Sequence, residues 1–508
     1  MRRSGLGAGL GGILRHVPQD DQEEAALVER EVQIVMNDGV RLDASVCVPD
    51  GDRPEGGWPG VLFAHGHGDA GSKASYLPRA RRLTEREYVT VSYSVRGQGA
   101  SEGLVHHMDA RKLFDLQDVV KWTLSQQPIH PERLGVVGSS QGGWHAYMAA
   151  AHCPEVATAV PENVFTHFDE FAVHHGCLTK WFLTRTMRRR ILTAGLQEMA
   201  RQWALSGDWF RIREAVNATS PIHFVDRITC PVFIIHGWHD VGMPPNEALE
   251  MIDRLKGPKK LYLGGGGHDG VDDPEVAALR ERLVDRWLDH WLKGEANGVM
   301  EEPAITYARR PGWDHGEVDA IPAPQGETKT LFLQSGGTLG ETAPTGPDTH
   351  ANINNAPIDA DYGLAGAIGD DLAGVPDALR REVVSFDAEP LTHAIEILGT
   401  CRFRLYTMPN RSMLQVNAEL LDVAPDGSET RITRSQWGTR TAEPGRHLEV
   451  QFDARTIGYV VAEGHRVRLS ISNYDHEFAF PYFEPFVARL YHDNLRPSSV
   501  DIPLRPAG

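Results

Sequence analysis

The sequence predicts an α/β fold: a doubly wound, largely parallel sheet with a helical cap, followed by a C-terminal β-sandwich. Three observations predict it. Between about residues 28 and 294, short apolar runs alternate with amphipathic helical stretches. At 138–143 a Gly-x-Ser-x-Gly turn joins one such run to a helix-compatible segment. After Gly294 long helical periodicity disappears, and Pro, Gly, Thr and Asp separate strand-length segments. Alternating strand and helix implies a parallel sheet, whereas successive short strands with turn residues between them imply a sandwich.

The chain opens with Met1-Arg2-Arg3 and a weakly apolar, glycine-rich stretch at 5–14. This resembles a signal peptide in outline but lacks an apolar core and an Ala-x-Ala cleavage site. With the acidic run at 19–24 behind it, residues 1–27 are expected to form a flexible tail. The α/β domain is expected over 28–294. Its strand-like runs at 60–64, 88–92, 134–138, 232–235 and 260–263 are continuously apolar, as central parallel strands buried on both faces must be. Helical faces are marked by Leu113, Leu116, Val120 and Leu124, then by Ala248, Ile252 and Leu255, and last by Leu279, Leu283, Trp287 and Trp291.

Residues 153–228 break the rhythm and show no clear strand. They hold Trp181, Phe182, Arg188-Arg189-Arg190, Trp203 and Trp209, and are expected to be a helical cap inserted over the strand ends. Ordinary helices on the sheet are the alternative. A linker is expected over 295–327 and a jelly-roll sandwich over 328–508, with strands near 330–333, 401–406, 414–421 and 466–471 and an irregular loop at 352–375.

Composition narrows the function. The chain has 508 residues, 41% hydrophobic and 24% charged, ordinary for a soluble globular protein. A net charge of −18 argues against nucleic acid and anionic membranes as partners. No apolar run is long enough to span a bilayer. Five scattered cysteines (Cys47, Cys153, Cys177, Cys230 and Cys401) lack metal-ligand spacing and favour reduced thiols and a cytoplasmic home. No metal or organic cofactor is expected, because the glycine-rich loops at 97–103 and 264–267 lack the Lys-Ser/Thr of a phosphate cradle. The expected partner is a small-molecule ester or amide; assembly into a homo-oligomer is compatible with the sequence.

The chemistry centres on Gly138-Ser139-Ser140-Gln141-Gly142-Gly143. A strand before it and a helix after it are the context of a nucleophile elbow, which exposes Ser140 at the carboxyl edge of the sheet. A glycine-rich turn without chemistry is the bland alternative. A serine hydroxyl needs a base, and in this arrangement the partners follow in the order acid, then histidine. Asp240 ends the loop after the 232–235 strand, and His268 follows the next strand and four glycines. Asp240 would fix the imidazole tautomer and stabilise the imidazolium. Asp269, Asp272 and Asp273 are rival acids, set too close to His268 in sequence. Oxyanion donors are expected from the backbone N–H of Gln141 and of His67. Trp144, Trp238 and His239 are candidate pocket residues; His236 is expected to end a strand.

These residues resemble two related groups. Arg96-Gly97-Gln98-Gly99, the Gly138–Gly143 turn and Asp240 followed by Pro244-Pro245 are similar to the acetyl xylan esterase and cephalosporin C deacetylase family. That family's His-Glu appears here as His268-Asp269, and His67 stands where it has Tyr. A larger share, roughly 28–508, resembles the cocaine esterase and X-prolyl dipeptidyl-peptidase family of α/β-hydrolases. The matching motifs are Arg96 to Gly103, Gly237-Trp238-His239-Asp240 and Gly464 to Leu469. In that family Tyr usually follows the nucleophile; here it is Gln141. The resemblance implies acyl-bond hydrolysis.

The expectation is therefore a serine hydrolase cleaving a carboxylic ester through an acyl-enzyme. A peptidase or amidase of the X-Pro type would use the same residues, and a catalytically silent binding protein is the reading from another class. Small acyl esters are expected to outpace X-Pro amides.

Overall fold

The computed structural model describes residues 28–67, 71–105, 108–180, 198–199, 202–203, 206–268, 273–323, 326–355, 382–473, 475, 478–479, 482 and 484–506. The tail at 1–27, Trp181, Phe182, the 188–190 arginines, Asp269 and Asp272 lie outside the described residues.

The first sheet has ten strands in the order β1-β2-β4-β3-β5-β6-β9-β10-β11-β12. In chain order these are β1 (Val28–Val35), β2 (Arg41–Val48), β3 (Trp58–Ala64), β4 (Val89–Tyr93), β5 (Ile129–Ser139) and β6 (Val156–Glu162), then β9 (Val232–Gly237), β10 (Lys259–Gly264), β11 (Ile305–Ala308) and β12 (His315–Val318). A two-stranded hairpin, β7 (Val173–His174) and β8 (Cys177–Leu178), stands apart. The central pairings from β4 through β11 are parallel, and β1, β2 and β12 close the sheet in antiparallel fashion. Every residue of β3, β4 and β9 is buried, which suits the unbroken apolar runs in β3 and β9; β4 buries Thr90 and Ser92 between its apolar residues.

The helices that connect these strands are α1 (Leu77–Glu85), α2 (Ala110–Gln126), α3 (Gln141–His152), α4 (Phe168–Ala172), α5 (Trp209–Asn217), α6 (Pro245–Arg254) and α7 (Pro274–Leu288). Asp109 caps α2 by accepting from Lys112 N at 3.2 Å, so that helix starts where the acidic cap dictates. Leu116, Val119 and Val120 then face the core.

Three expectations need correction. Residues 153–228 are not strand-free: β6 pairs with both β5 and β9 inside the main sheet, so an insertion can begin only after it. Its sequence, Val-Ala-Thr-Ala-Val-Pro-Glu, carries small and polar residues, and burial comes from its central place rather than its composition. The stretch 295–327 is not merely a linker, because β11 and β12 extend the catalytic sheet. The start of the 352–375 loop belongs to a strand (His350–Asn355); residues 356–381 lie outside the described residues.

The second sheet network joins thirteen strands, β13 (Glu327–Gln334) to β25 (Ser499–Pro506), in a β-sandwich domain. Its long central pair is β19 (Leu414–Val423) with β20 (Glu429–Thr439), joined by a turn at 424–428. The alternation of β19 does not separate core from solvent. Gln415, Asn417, Glu419 and Asp422 are all buried. Gln415 reaches Cys177 of the β7–β8 hairpin, and Gly438 N donates to His175 O at 2.9 Å. Tyr307 of β11 donates to Glu396 at 2.6 Å across the same boundary. The sandwich is packed onto the α/β domain.

Candidate active site

Ser140 sits between β5 and α3 with φ +57° and ψ −119°, a conformation a non-glycine residue adopts only where its surroundings compel it. Two contacts show the compulsion. A Cβ at Gly142 would fall 1.8 Å from Ala64 O, and one at Gly138 would fall 2.4 Å from Gly142 O. Strand and helix therefore approach so closely that only glycine fits on either side of the serine. Ser140 N donates to Glu162 O of β6 at 2.9 Å.

The neighbouring strands bring two further side chains to the same edge. His268, after β10, has Nε2 3.1 Å from Ser140 Oγ and Nδ1 2.7 Å from Asp240 Oδ2. The Asp240 side chain, after β9, is fully buried, and its other oxygen accepts from Gly242 N at 3.0 Å and Met243 N at 2.9 Å. With Oδ1 occupied by amides, Oδ2 is left for the Nδ1–H of the imidazole. Burial alone would raise the Asp240 carboxyl, but the adjacent His268 and the Met243 amide hold it below its ordinary value. Such a row can pass the hydroxyl proton to an imidazole whose tautomer is already set.

Asn163, at the end of β6, joins the two loops: its Nδ2 donates to His268 O at 3.2 Å and its Oδ1 accepts from Gly237 N at 3.0 Å. Of the rival acids, Asp273 is spent as the N-cap of α7, accepting from Glu275 N and Val276 N. His236 is the last residue but one of β9, its Nε2 against Met243 O at 2.8 Å.

Gln141 opens α3 directly after Ser140, the position from which a backbone N–H can meet an oxyanion. Its side chain enters a closed polar cluster. Gln141 Oε1 accepts from Gln98 Nε2 at 3.1 Å and from Lys112 Nζ, while Gln141 O meets His145 Nδ1 at 2.8 Å. Lys112 is wholly buried, and burial pushes its ammonium down to about 7. The Arg96-Gly97-Gln98-Gly99 motif thereby acquires a structural meaning: Gln98 braces Gln141, and Arg96 is clamped by Asp115 at 2.6 and 2.7 Å. Across the elbow, Gly66 lies close enough that a Cβ there would sit 3.5 Å from Ser140 Cβ, so the loop carrying His67 borders the serine.

The pocket candidates divide. Trp144 is fully buried, its indole N–H donating to Thr219 O at 2.9 Å. Trp238 is equally buried, donating to Ala308 O at 2.7 Å. Both rings are members of the hydrophobic core. His239 is exposed; neighbouring protein and the charges of Arg310, Arg455, Arg434 and Arg431 lower its imidazole from the ordinary value. Trp203 packs partly buried against the main core. Among the described residues no group of three or more His, Cys, Asp or Glu side chains is placed to hold a metal ion, and no helix is long and apolar enough to cross a membrane.

Sequence reasoning missed Lys112, Asn163 and Arg455. The last reaches from the sandwich to the backbone of Asp240. Only Lys112 left a signal, a charged residue beside Leu116, Val119 and Val120 on the buried face of α2.

Comparison with known proteins gives two family matches. Residues 38–270 match the X-Pro dipeptidyl-peptidase (S15 family) model, and residues 297–485 match the X-Pro dipeptidyl-peptidase C-terminal non-catalytic domain. A putative Xaa-Pro dipeptidyl-peptidase from Streptomyces avermitilis is 22% identical over 482 residues, covering 78% of this chain and 68% of that one. Dipeptidyl-peptidase 5 from Porphyromonas endodontalis is 25% identical over 254 residues; the match covers 46% of this chain and only 33% of that protein's length. Among solved structures, an aminopeptidase from a Thaumarchaeota archaeon superposes with a TM-score of 0.74 at 16% identity, covering 98% and 99% of the two chains. An α-amino acid ester hydrolase gives 0.72 at 18% identity, covering 97% and 98%. A CocE/NonD family hydrolase from Staphylococcus aureus gives 0.73 at 15% identity, covering 94% of each. At these identities the structural likeness establishes the two-domain fold.

Proposed function

Because this chain belongs to the X-Pro dipeptidyl-peptidase and cocaine esterase family and is a serine hydrolase, we propose that it cleaves carboxylic esters through an acyl-enzyme on Ser140. The observation that carries the reading is the row Ser140–His268–Asp240, at 3.1 and 2.7 Å. Ser140 Oγ attacks the ester carbonyl as its proton passes to His268 Nε2. Asp240 stabilises the imidazolium, and the oxyanion is met by Gln141 N–H and the His67 backbone. The imidazolium then protonates the departing alkoxide. A water, deprotonated by the same nitrogen, releases the acid and restores Ser140.

Ester rather than X-Pro amide is favoured by charge. A dipeptidyl-peptidase must accept a free, cationic peptide N-terminus. On the Asp240 side, four arginines (Arg310, Arg455, Arg434 and Arg431) act together on His239. Like charge beside that imidazole would raise the cost of placing an ammonium there. The second reading, an X-Pro peptidase, is supported by the two family matches.

Two measurements test the proposal. A fluorophosphonate probe should label Ser140, as read by peptide mapping. The kcat/KM for a short-chain aryl ester and for an unactivated alkyl ester should exceed that for an X-Pro anilide. Equal or greater efficiency on the anilide would transfer the assignment to the peptidase, and labelling of Ser139 instead would remove the nucleophile.

A further inference from the structure

We infer that Arg455, supplied by the C-terminal sandwich, is a positioning residue for the acid: it holds the loop that carries Asp240 and so sets how the carboxylate meets His268. The inference rests on the Ser140–His268–Asp240 reading above and adds to it a dependence on the second domain.

Arg455 lies between β21 (Leu448–Asp453) and β22 (Ile457–Val461) and is 7% exposed. Its Nη1 donates to Asp240 O at 2.6 Å and its Nη2 to Val241 O at 2.8 Å. One planar fork thus grips two consecutive carbonyls, the first of them on the acid itself. The guanidinium lies 4.0 Å over the Phe478 ring, which fixes its plane. The backbone on either side is also tied to the acid loop. Asn246, in the first turn of α6, donates from Nδ2 to Ala454 O at 2.9 Å and accepts from Thr456 N at 3.0 Å. The segment 240–246 is therefore held to the sandwich at both of its ends.

The hydrogen bonds within the acid turn leave its tilt open. Gly242 N and Met243 N bind Asp240 Oδ1 and fix the turn internally. They move with the turn, so they do not set its angle to His268. Asn163 holds Gly237 N and His236 meets Met243 O at the two ends of the turn; Arg455 adds a grip on the carbonyls of Asp240 and Val241 between them. Simple adhesion between domains does not explain the choice of residue. Burying a cation costs several kcal/mol, and a well-packed apolar side chain joins two surfaces at lower cost. The nearby carboxylate of Asp475 is already engaged by Arg434 at 2.9 Å. What a buried arginine adds is direction, together with a positive charge near the ionised Asp240.

The test uses the full-length protein and three variants, Arg455→Met, Arg455→Lys and Tyr307→Phe. The last removes a different bond across the domain boundary, the one to Glu396. Three quantities are read: kcat and KM on a short-chain aryl ester, the melting temperature, and the low-field proton resonance of the imidazole N–H shared by His268 and Asp240. Arg455→Met should lower kcat by about 10²-fold with KM little changed, the loss expected when a reacting group is misplaced by about 1 Å. Its low-field resonance should shift or broaden. Arg455→Lys, keeping charge but losing the fork, should fall between. Tyr307→Phe should lower the melting temperature and move neither kcat nor the resonance.

A folded Arg455→Met protein with kcat within about twofold of wild type and an unmoved resonance overturns the inference. If that variant does not fold, the same two criteria applied to Arg455→Lys decide it. A wild-type protein with no low-field resonance and a fully active Asp240→Asn variant would bring down the triad reading itself. That outcome is distinct from a wild-type resonance indifferent to Arg455, which removes only the positioning role.

Discussion

The nucleophile end and the acid end of the candidate site are held by different parts of the chain. Ser140 and Gln141 are fixed from within the catalytic domain. Glu162 of β6 takes the Ser140 amide, and Gln98, Lys112 and His145 surround Gln141. Asp240 is held from within by Asn163 and the turn amides and also from outside, by Arg455 and by the clasp of Asn246 on residues 454 and 456. The nucleophile is thus an intrinsic property of one sheet, whereas the acid depends on how two domains dock. Damage at one end should look different from damage at the other.

The largest effect is expected where both ends meet. Ser140→Ala and His268→Ala should each reduce kcat by about 10⁶-fold, and the double variant should be little worse, because the residues act as a unit. Additive losses on the aryl ester would show that they do not. Asp240→Asn should cost about 10⁴-fold, since an amide stabilises the wrong tautomer; near wild-type turnover would return Asp269 and Asp272 to candidacy.

A smaller effect tests the nucleophile end alone. Lys112→Met removes the ammonium from Gln141 Oε1 while filling the same space. Activity should fall by less than the roughly 10²- to 10³-fold seen when an oxyanion donor is lost outright. Stability should hold or rise, because a buried charge has been replaced by an apolar isostere. Kinetics paired with thermal melts read both, and a loss of stability with unchanged kcat would make Lys112 purely structural.

The smallest effect concerns pH. Burial, the leading cause for each, pushes His65 down to about 4 and His145 down to about 3. In the unfolded chain both would titrate near 6.5. Between those values the unfolded state binds more protons, so stability rises with pH. Their contribution is complete above about pH 6.5 and is lost as pH falls through about 4 and 3. The melting temperature should decline across that interval, and His145→Gln should flatten part of the slope. A slope identical to wild type would mean that the buried imidazole does not titrate there.

Much of this was legible in the sequence, for physical reasons that also explain what was not. Central strands such as β3 and β9 read clearly because burial on both faces demands unbroken apolar runs. The strand β6 escaped because Thr158, Pro161 and Glu162 interrupt its apolarity, and β11 because four residues are too few to show a period. Ser140, Asp240 and His268 stand out because each follows a recognisable strand at the edge where such residues gather. Lys112, Asn163 and Arg455 act through contacts between distant segments, which spacing along a chain does not encode. Trp144 and Trp238 were expected at a pocket because they neighbour catalytic positions. On a helix four residues carry a side chain one turn onward, and Trp144 points into the core.

The grip of Arg455 on Asp240 spans 215 residues of chain. At about 5–20 residues per second, a ribosome needs roughly 10 to 40 s to travel from one to the other. Through that interval a nascent chain carries its serine and much of its catalytic sheet while the acid loop still lacks its anchor. Synthesis itself thus imposes a delay, and the hydrolase gains its full power only when its sandwich domain has folded back onto the first.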